Sequence, residues 1–258
     1  MTTDTEEKRE IHPLGRMVRL QAILERGRIS ADNQRRGLDP GAITDVFDTV
    51  AETLGGLEKM IEKQMHIEVS QHPAWFWLEK VKGIGPQTSS LMLAYLLPPI
   101  PGKGPSSWYK AAGLYSIRVA CKECDGAGKN IDGIRFKQCE KCGGEGGTNR
   151  LPRYSNLPKG EKASWHPRLR RNLYIVGDCL IRANGFYKKF YDEVKAALVI
   201  KHPDWKGRCH SVAFWKMVKL FLAHFWEVWS KEIGVETRGP YPMAILGHQK
   251  IEVPWEGG

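Results

Sequence analysis

Apolar residues recur along most of this chain at intervals of three and four, the period of helices packed on one face. Leu14, Met17, Val18, Gln21 and Leu24 predict a helix over 13–26. The stretch from Gly27 to Gly41 is polar and rich in turn formers, with Arg28, Arg35 and Arg36, and reads as a connection. From Ile43 a longer helix is expected. Its Ile43, Phe47, Val50, Leu54, Leu57 and Ile61 alternate steps of four and three, a short coiled-coil seam interrupted by Gly55-Gly56. The seam has two candidate partners, the first helix or a second subunit, so a homodimer through residues 43–61 stays open. Leu169, Leu173, Val176 and Leu180 form another stripe, and Phe214, Val218, Phe221, Phe225 and Trp229 a third. Aromatic stripes of this kind belong to cores. Strand signals are scarce, so the fold is expected to be mostly α, with β structure confined to the neighbourhood of Ile131–Phe136.

One short segment breaks the helical period. Val81-Lys82-Gly83-Ile84-Gly85-Pro86 lies between the apolar Trp77-Leu78 and the run Ser90–Leu96. This is the sequence form of a helix-hairpin-helix. Two glycines can take backbone angles closed to other residues, leaving the N–H groups of the turn bare, and the second helix would begin there with its unpaired donors outward. Such a turn suits a phosphate and reads no base. Ile84 would anchor the hairpin in its own core, and Lys82 would add charge. The plainer alternative is an ordinary helix–helix corner.

Charge strengthens the phosphate reading. The 258 residues carry a net charge of +10 with a pI near 9.3, which suits a polyanionic partner. Seven cations (Arg150, Arg153, Lys159, Lys162, Arg168, Arg170 and Arg171) stand between Thr148 and Asn172 against Glu161 alone, with Tyr154, Trp165 and His166 interleaved. Cations mixed with aromatics suit backbone contact plus base stacking, whereas a solvated basic loop is the bland reading. No apolar run approaches the roughly 20 residues of a membrane span, and residues 1–8 lack the apolar core of a signal peptide. The expected location is therefore cytoplasmic, with no membrane partner.

Four of the six cysteines form two knuckles, Cys121-Lys122-Glu123-Cys124 and Cys139-Glu140-Lys141-Cys142, separated by 14 residues. Each knuckle sets two thiolates on one side of a tight turn, so the pair can complete a tetrahedral zinc site. A closed four-thiolate site has no open position and is structural. A disulfide pair or a redox dithiol competes, but no secretory signal favours oxidation. The repeated Cys-x-x-Cys-x-Gly-x-Gly pattern resembles the zinc repeats of DnaJ-type chaperones over about 26 residues, which implies a knuckle geometry alone. Cys179 and Cys209 read as buried or unpaired thiols. The expected organisation is a tail (1–12), a helical pair (13–70), the hairpin region (71–117), the zinc insertion (118–148), the basic strip with closing helices (149–233) and a loop-rich tail (234–258).

The order of these segments is informative. "HPAWFWLEKVKGIGPQTSSLMLAYL" precedes "SSWYKAAGL", then "WHPRLRRNLYIVGDCLIRANGFYKKFYDEVKAA", then "AFWKMVKLFLAHFWEVW". That order is similar to the C-terminal region of insertion sequence 110/116/902 transposases, over residues 13–232 apart from the cysteine insertion. The ending "PYPMAILGH" also resembles short stand-alone relatives of that kind. The resemblance implies a helix-hairpin-helix fold, nucleic-acid binding and a role in DNA transposition or recombination, with RNA possible because relatives use a guide RNA. Full members also carry a RuvC-like nuclease domain with acidic magnesium ligands. Here only about 70 residues precede the hairpin and they read as helices, so that domain is expected to be absent and a separate nuclease subunit becomes a partner candidate. The family uses a serine nucleophile soon after Gly-Leu. The nearest match is Ser116 in Gly113-Leu114-Tyr115-Ser116, without the expected Ser-Gly context, while Ser155 and Ser164 match no better. A strand-transfer recombinase and a non-enzymatic zinc-containing assembly protein are the alternatives.

Overall fold

A computed structural model describes residues 13–132, 135–152 and 159–236. The expected tail 1–12, Arg153, Tyr154, Ser155 and residues 237–258 lie outside these. The described residues are mostly helical, with eight helices and four short strands. They fall into two compact units.

Among the described residues the larger unit contains 13–105 and 171–236. α1 (Pro13–Arg35) and α2 (Ala42–Ser70) form an antiparallel hairpin. Arg35–Asp48, Arg28–Glu58 and Gln21–Glu62 fix its register. The 27–41 stretch is thus helical to Arg35. Gly27 lies where a side chain would press on Leu54, and Arg28 has Glu58 to hold, so the polar residues are used by the partner helix. α2 runs unbroken through Gly55-Gly56, because packing outweighs the roughly 1 kcal/mol that each glycine costs a helix. α3 (Trp75–Leu78) and α4 (Pro86–Leu93) flank the two-glycine turn. α2 and α4 begin alike. Gly41 and Gly85 each donate the backbone N–H to a threonine three residues on, Thr44 or Thr88, at 2.8 Å, and each threonine hydroxyl returns a bond to the glycine carbonyl. Pro86 adds the preset backbone angle favoured at a first helical position.

α6 (Pro167–Arg182), α7 (Phe186–Lys201) and α8 (Lys206–Glu232) supply the remaining helices. Their expected stripes are buried: Leu173, Val176 and Leu180 on α6, and Phe214, Val218, Phe221, Phe225 and Trp229 on α8. Trp77 stacks on Phe221 and Phe225, and Tyr187 of α7 meets Phe221 edge-on while hydrogen-bonding His224 Nδ1 at 2.9 Å. Aromatic pairs of this kind add about 0.5–1.5 kcal/mol each beyond their buried area. The two-glycine turn thus follows a short helix whose Trp77 is packed into this aromatic cluster.

The smaller unit spans Ser106–Arg170. It joins α5 (Ser106–Ala111) to β1 (Ile117–Ala120), β2 (Lys129–Asp132), β3 (Arg135–Gln138) and β4 (Gly147–Arg150). β1 pairs antiparallel with β4, and β2 with β3. Strand structure thus includes Ile131 and Phe136, as expected, and a second pair that closes the ends of the cysteine segment. Gly113 adopts a left-handed φ of 67° under the Trp165 ring, whose Cγ lies 2.6 Å from where a Cβ would stand. His166 donates its N–H to the Ala111 carbonyl. These contacts bring Trp165 and His166 onto the end of α5 and the glycine after it.

Candidate functional site

The two glycines of the turn between α3 and α4 do different work. Gly83 has φ 92°, and a Cβ there would fall 2.6 Å from the Cys179 carbonyl oxygen on α6 and 2.8 Å from Cβ of Ala183, just past that helix's end. Gly83 is a packing glycine that lets the turn lie against α6. Gly85 has φ −128°, and a side chain there would meet nothing within 4 Å. Two N–H groups expected to be bare are used: Ile84 donates to the Val81 carbonyl at 2.9 Å, and Gly85 to Thr88 Oγ1. Ile84 is buried, as expected, and Lys82 is exposed.

The donors left at this corner belong to the first turn of α4. Gln87 and Thr88 occupy the second and third helical positions, whose N–H groups have no intrahelical acceptor. In front of them lies a cleft of about 400 Å³ lined by Lys59, Glu62, Lys63, Met65 and His66 of α2 together with Pro86 and Gln87. Lys59, Lys63 and His66 follow each other by four and three residues, so they share one helical face. Glu62 on the same rim is held by Gln21 Nε2 at 2.9 Å. Two lysines, a histidine, a glutamate and the first residues of α4 thus border one open space. These α2 residues escape a motif scan, since only their spacing links them and α4 is 20 residues away in sequence.

The four knuckle cysteines come together. Their sulfurs all lie within 4.8 Å of one another, with Cys121–Cys139 at 3.8 Å and Cys124–Cys142 at 3.7 Å. A tetrahedron of Zn–S bonds near 2.3 Å has edges of about 3.8 Å, so this spacing fits a four-thiolate ion. Each knuckle also donates a backbone N–H to its second sulfur: Gly128 to Cys124 at 3.2 Å and Gly146 to Cys142 at 3.3 Å. Such bonds orient a thiolate and tune it. Gly126, Gly128, Gly144 and Gly146 all take left-handed angles. A Cβ at Gly128 would fall 2.3 Å from the Gly144 carbonyl oxygen, and one at Gly146 equally close to that of Gly126. The glycines let the knuckles interlock with their sulfurs converging. Burial pushes the Cys124 thiol up to about 11. A cation at the centre would reverse that preference, since a coordinating thiol gives up its proton. The cluster could therefore hold a metal ion.

The basic strip divides. Arg150 and Arg168, in the smaller unit, and Arg171, in the larger, are exposed. Arg170 turns inward, its Nη1 donating to the Gly113 carbonyl at 3.3 Å and to the Pro152 carbonyl. That guanidinium ties α6's first turn to the strip and is spoken for. Ser116 is exposed just before β1, and among the described residues no base hydrogen-bonds its hydroxyl. Ser164 pairs with Tyr115 Oη at 2.7 Å. Neither serine has the activated arrangement a nucleophile requires. Among the described residues no helix is long and apolar enough to cross a membrane. Comparison with protein-family models finds no match, and neither does comparison with curated proteins.

Proposed function

We propose that this chain is a transposase-like nucleic-acid-binding protein that grips the phosphate backbone of DNA without reading sequence. The single observation that carries the reading is the first turn of α4: Pro86 and Gln87 line a cleft together with Lys59, Lys63 and His66, with Glu62 on the same rim already held by Gln21. A phosphate there accepts from the Gln87 and Thr88 N–H groups, and the lysines neutralise it. Lys82 adds a further cation at the turn. Arg150, Arg168 and Arg171 are the strip residues exposed for further phosphate contacts, and each releases counterion when engaged. In the helix-hairpin-helix reading Gly83 shapes the turn and Gly85 leaves room for the ligand. Zinc in the four-cysteine cluster is structural: four thiolates saturate it, so it shapes the insertion and performs no chemistry.

A binding panel of duplex DNA, single-stranded DNA and structured RNA, run across a salt series, tests this. Duplex affinity should fall linearly with salt on a double-logarithmic plot, and Lys59→Glu with Lys63→Glu should flatten the slope by about 2, close to 0.9 per contact. Affinity that ignores salt, or a double variant that binds with the parent slope, removes the phosphate clamp. Preference for structured RNA over duplex DNA would reassign the partner.

A further inference from the structure

The apolar residues of α2 serve two faces, and one of them is unclaimed. Phe47, Leu54 and Ile61, three members of the seam legible in the sequence, are half-buried, and the Gly27–Leu54 approach places α1 on that side. Next to them runs a second row: Ile43, Val46, Val50, Thr53, Leu57 and Met60. Its steps are three, four, three, four and three, an unbroken heptad a/d pattern over about 26 Å of helix. Every apolar member is exposed: Ile43 and Met60 at 69%, Val46 at 61%, Val50 and Leu57 at 42%. α1 extends this face. In the antiparallel register set by Gln21–Glu62 and Gly27–Leu54, Leu20 and Ile23 come level with Met60 and Leu57, and they are 48% and 56% exposed. On each helix the exposed row lies about a quarter turn to the same side of the contact row, which for antiparallel helices puts both rows on one face.

We infer that this face is a self-association surface, on which the α1–α2 hairpins of two copies of this chain pack as a four-helix assembly. Three observations select a second copy as occupant. A heptad row is the pattern that interdigitates with another of its kind, knobs into holes. The α2 row carries no charge: Thr53 is its one polar member, and its neighbours Thr49 and Gly56 are small and neutral, so a two-fold axis that pairs α2 with α2 between Ile43 and Leu57 brings no like charges together there. The area also suffices. The seven exposed apolar side chains present about 700 Å² per copy, so pairing removes about 1,400 Å² from water, the size of a stable specific interface. By comparison Ile200, at the end of α7, is still more exposed at 83% but has no such row around it.

The inference is independent of nucleic acid, and so is its test. The full chain, without DNA or RNA, is examined by sedimentation equilibrium at micromolar concentration. It should be a dimer. Leu57→Glu with Met60→Glu should raise the dissociation constant by about 100-fold or more, since two buried apolar contacts are replaced by repelling charges. Its helical circular dichroism and melting temperature, read where both proteins are monomeric, should match the parent, because both side chains are at the surface. Ile200→Glu should leave the dimer intact. A parent chain that stays monomeric, a double variant that still dimerises, or dissociation by Ile200→Glu overturns the inference. Vesicle binding by a monomeric parent that the double variant abolishes also overturns it, assigning the face to a lipid surface.

Discussion

Substitution at the two glycines of one turn should give opposite results. Gly85→Asp places its Cβ in open space and keeps an extended φ, so it introduces no strain. It also installs a preferred N-cap residue, whose carboxylate can accept from the Gln87 and Thr88 amides; relative to glycine this adds a few tenths of a kcal/mol to stability. The same carboxylate occupies the donors that a phosphate would use. Losing an anion's attraction to the helix end removes about 0.3–1 kcal/mol. Repulsion between a carboxylate and a phosphate about 5 Å apart, at an effective dielectric between those of surface and water, adds about 1–2 kcal/mol. The sum is about 2 kcal/mol, roughly a 30-fold rise in Kd at low salt. Gly83→Ala behaves otherwise. Its Cβ collides with the Cys179 carbonyl at 2.6 Å in a left-handed backbone, so it should destabilise the larger unit by about 3 kcal/mol, from backbone strain and overpacking together. Thermal melts and fluorescence anisotropy on a labelled duplex, run in parallel, separate the two effects. Gly85→Asp should melt at or above the parent temperature and bind weakly. If it melts normally and binds within threefold of the parent with an unchanged salt slope, the α4 terminus is not a phosphate contact.

Arg168→Ala should weaken duplex binding about uniformly across sequences and lower the salt slope by about 1, with the melting temperature unchanged. Arg170→Ala should instead loosen its own unit, because the Gly113 and Pro152 carbonyls lose their donor; limited proteolysis reads this as faster cleavage around 150–165. Adding Co²⁺ to the metal-free protein should produce thiolate charge-transfer absorption and release protons, since burial holds at least Cys124 protonated. Protons compete with metal, so affinity should rise with pH through neutrality, and Cys139→Ser should remove the absorption. Ser116→Ala should leave every binding property as it is.

Sequence patterns disclosed the helical stripes of α6 and α8 and the knuckle spacing, because each is written in residues close together in the chain. Two kinds of information were hidden. The first is which apolar residues face which partner. Ile43, Val50 and Leu57 fit both the seam read from the sequence and the exposed row, and only α1's position assigns them. The second is which glycine or cation is already engaged. Gly83 and Gly85 look equivalent in Gly-Ile-Gly, yet α6, nearly 100 residues on, occupies the space beside one alone. Arg170 and Arg171 are adjacent and alike, but a helix turns consecutive residues by about 100°, so one points at carbonyls and the other at solvent. The same blindness covers Lys59 and Lys63, whose proximity to α4 is a tertiary fact.

A metal ion held by the cysteine segment would matter to more than its own coordination sphere. Between Ile117 and Arg150 the buried apolar residues among those described are Cys124 and Cys139, the ligand candidates themselves. Two two-stranded ladders whose described apolar burial is limited to those cysteines lack the burial that offsets chain entropy, and an isolated hairpin is marginal at best in water. The knuckle glycines worsen the balance, because each loses more freedom on ordering than any other residue. The convergence of four sulfurs then needs a favourable term of about 10 kcal/mol or more, the scale on which a structural zinc ion acts. β1 and β4 close the ends of this segment, with Arg150 at one ladder terminus opposite Ile117. Metal binding would therefore order β4 and with it the position of Arg150, one of the residues to which the proposed function gives a phosphate contact.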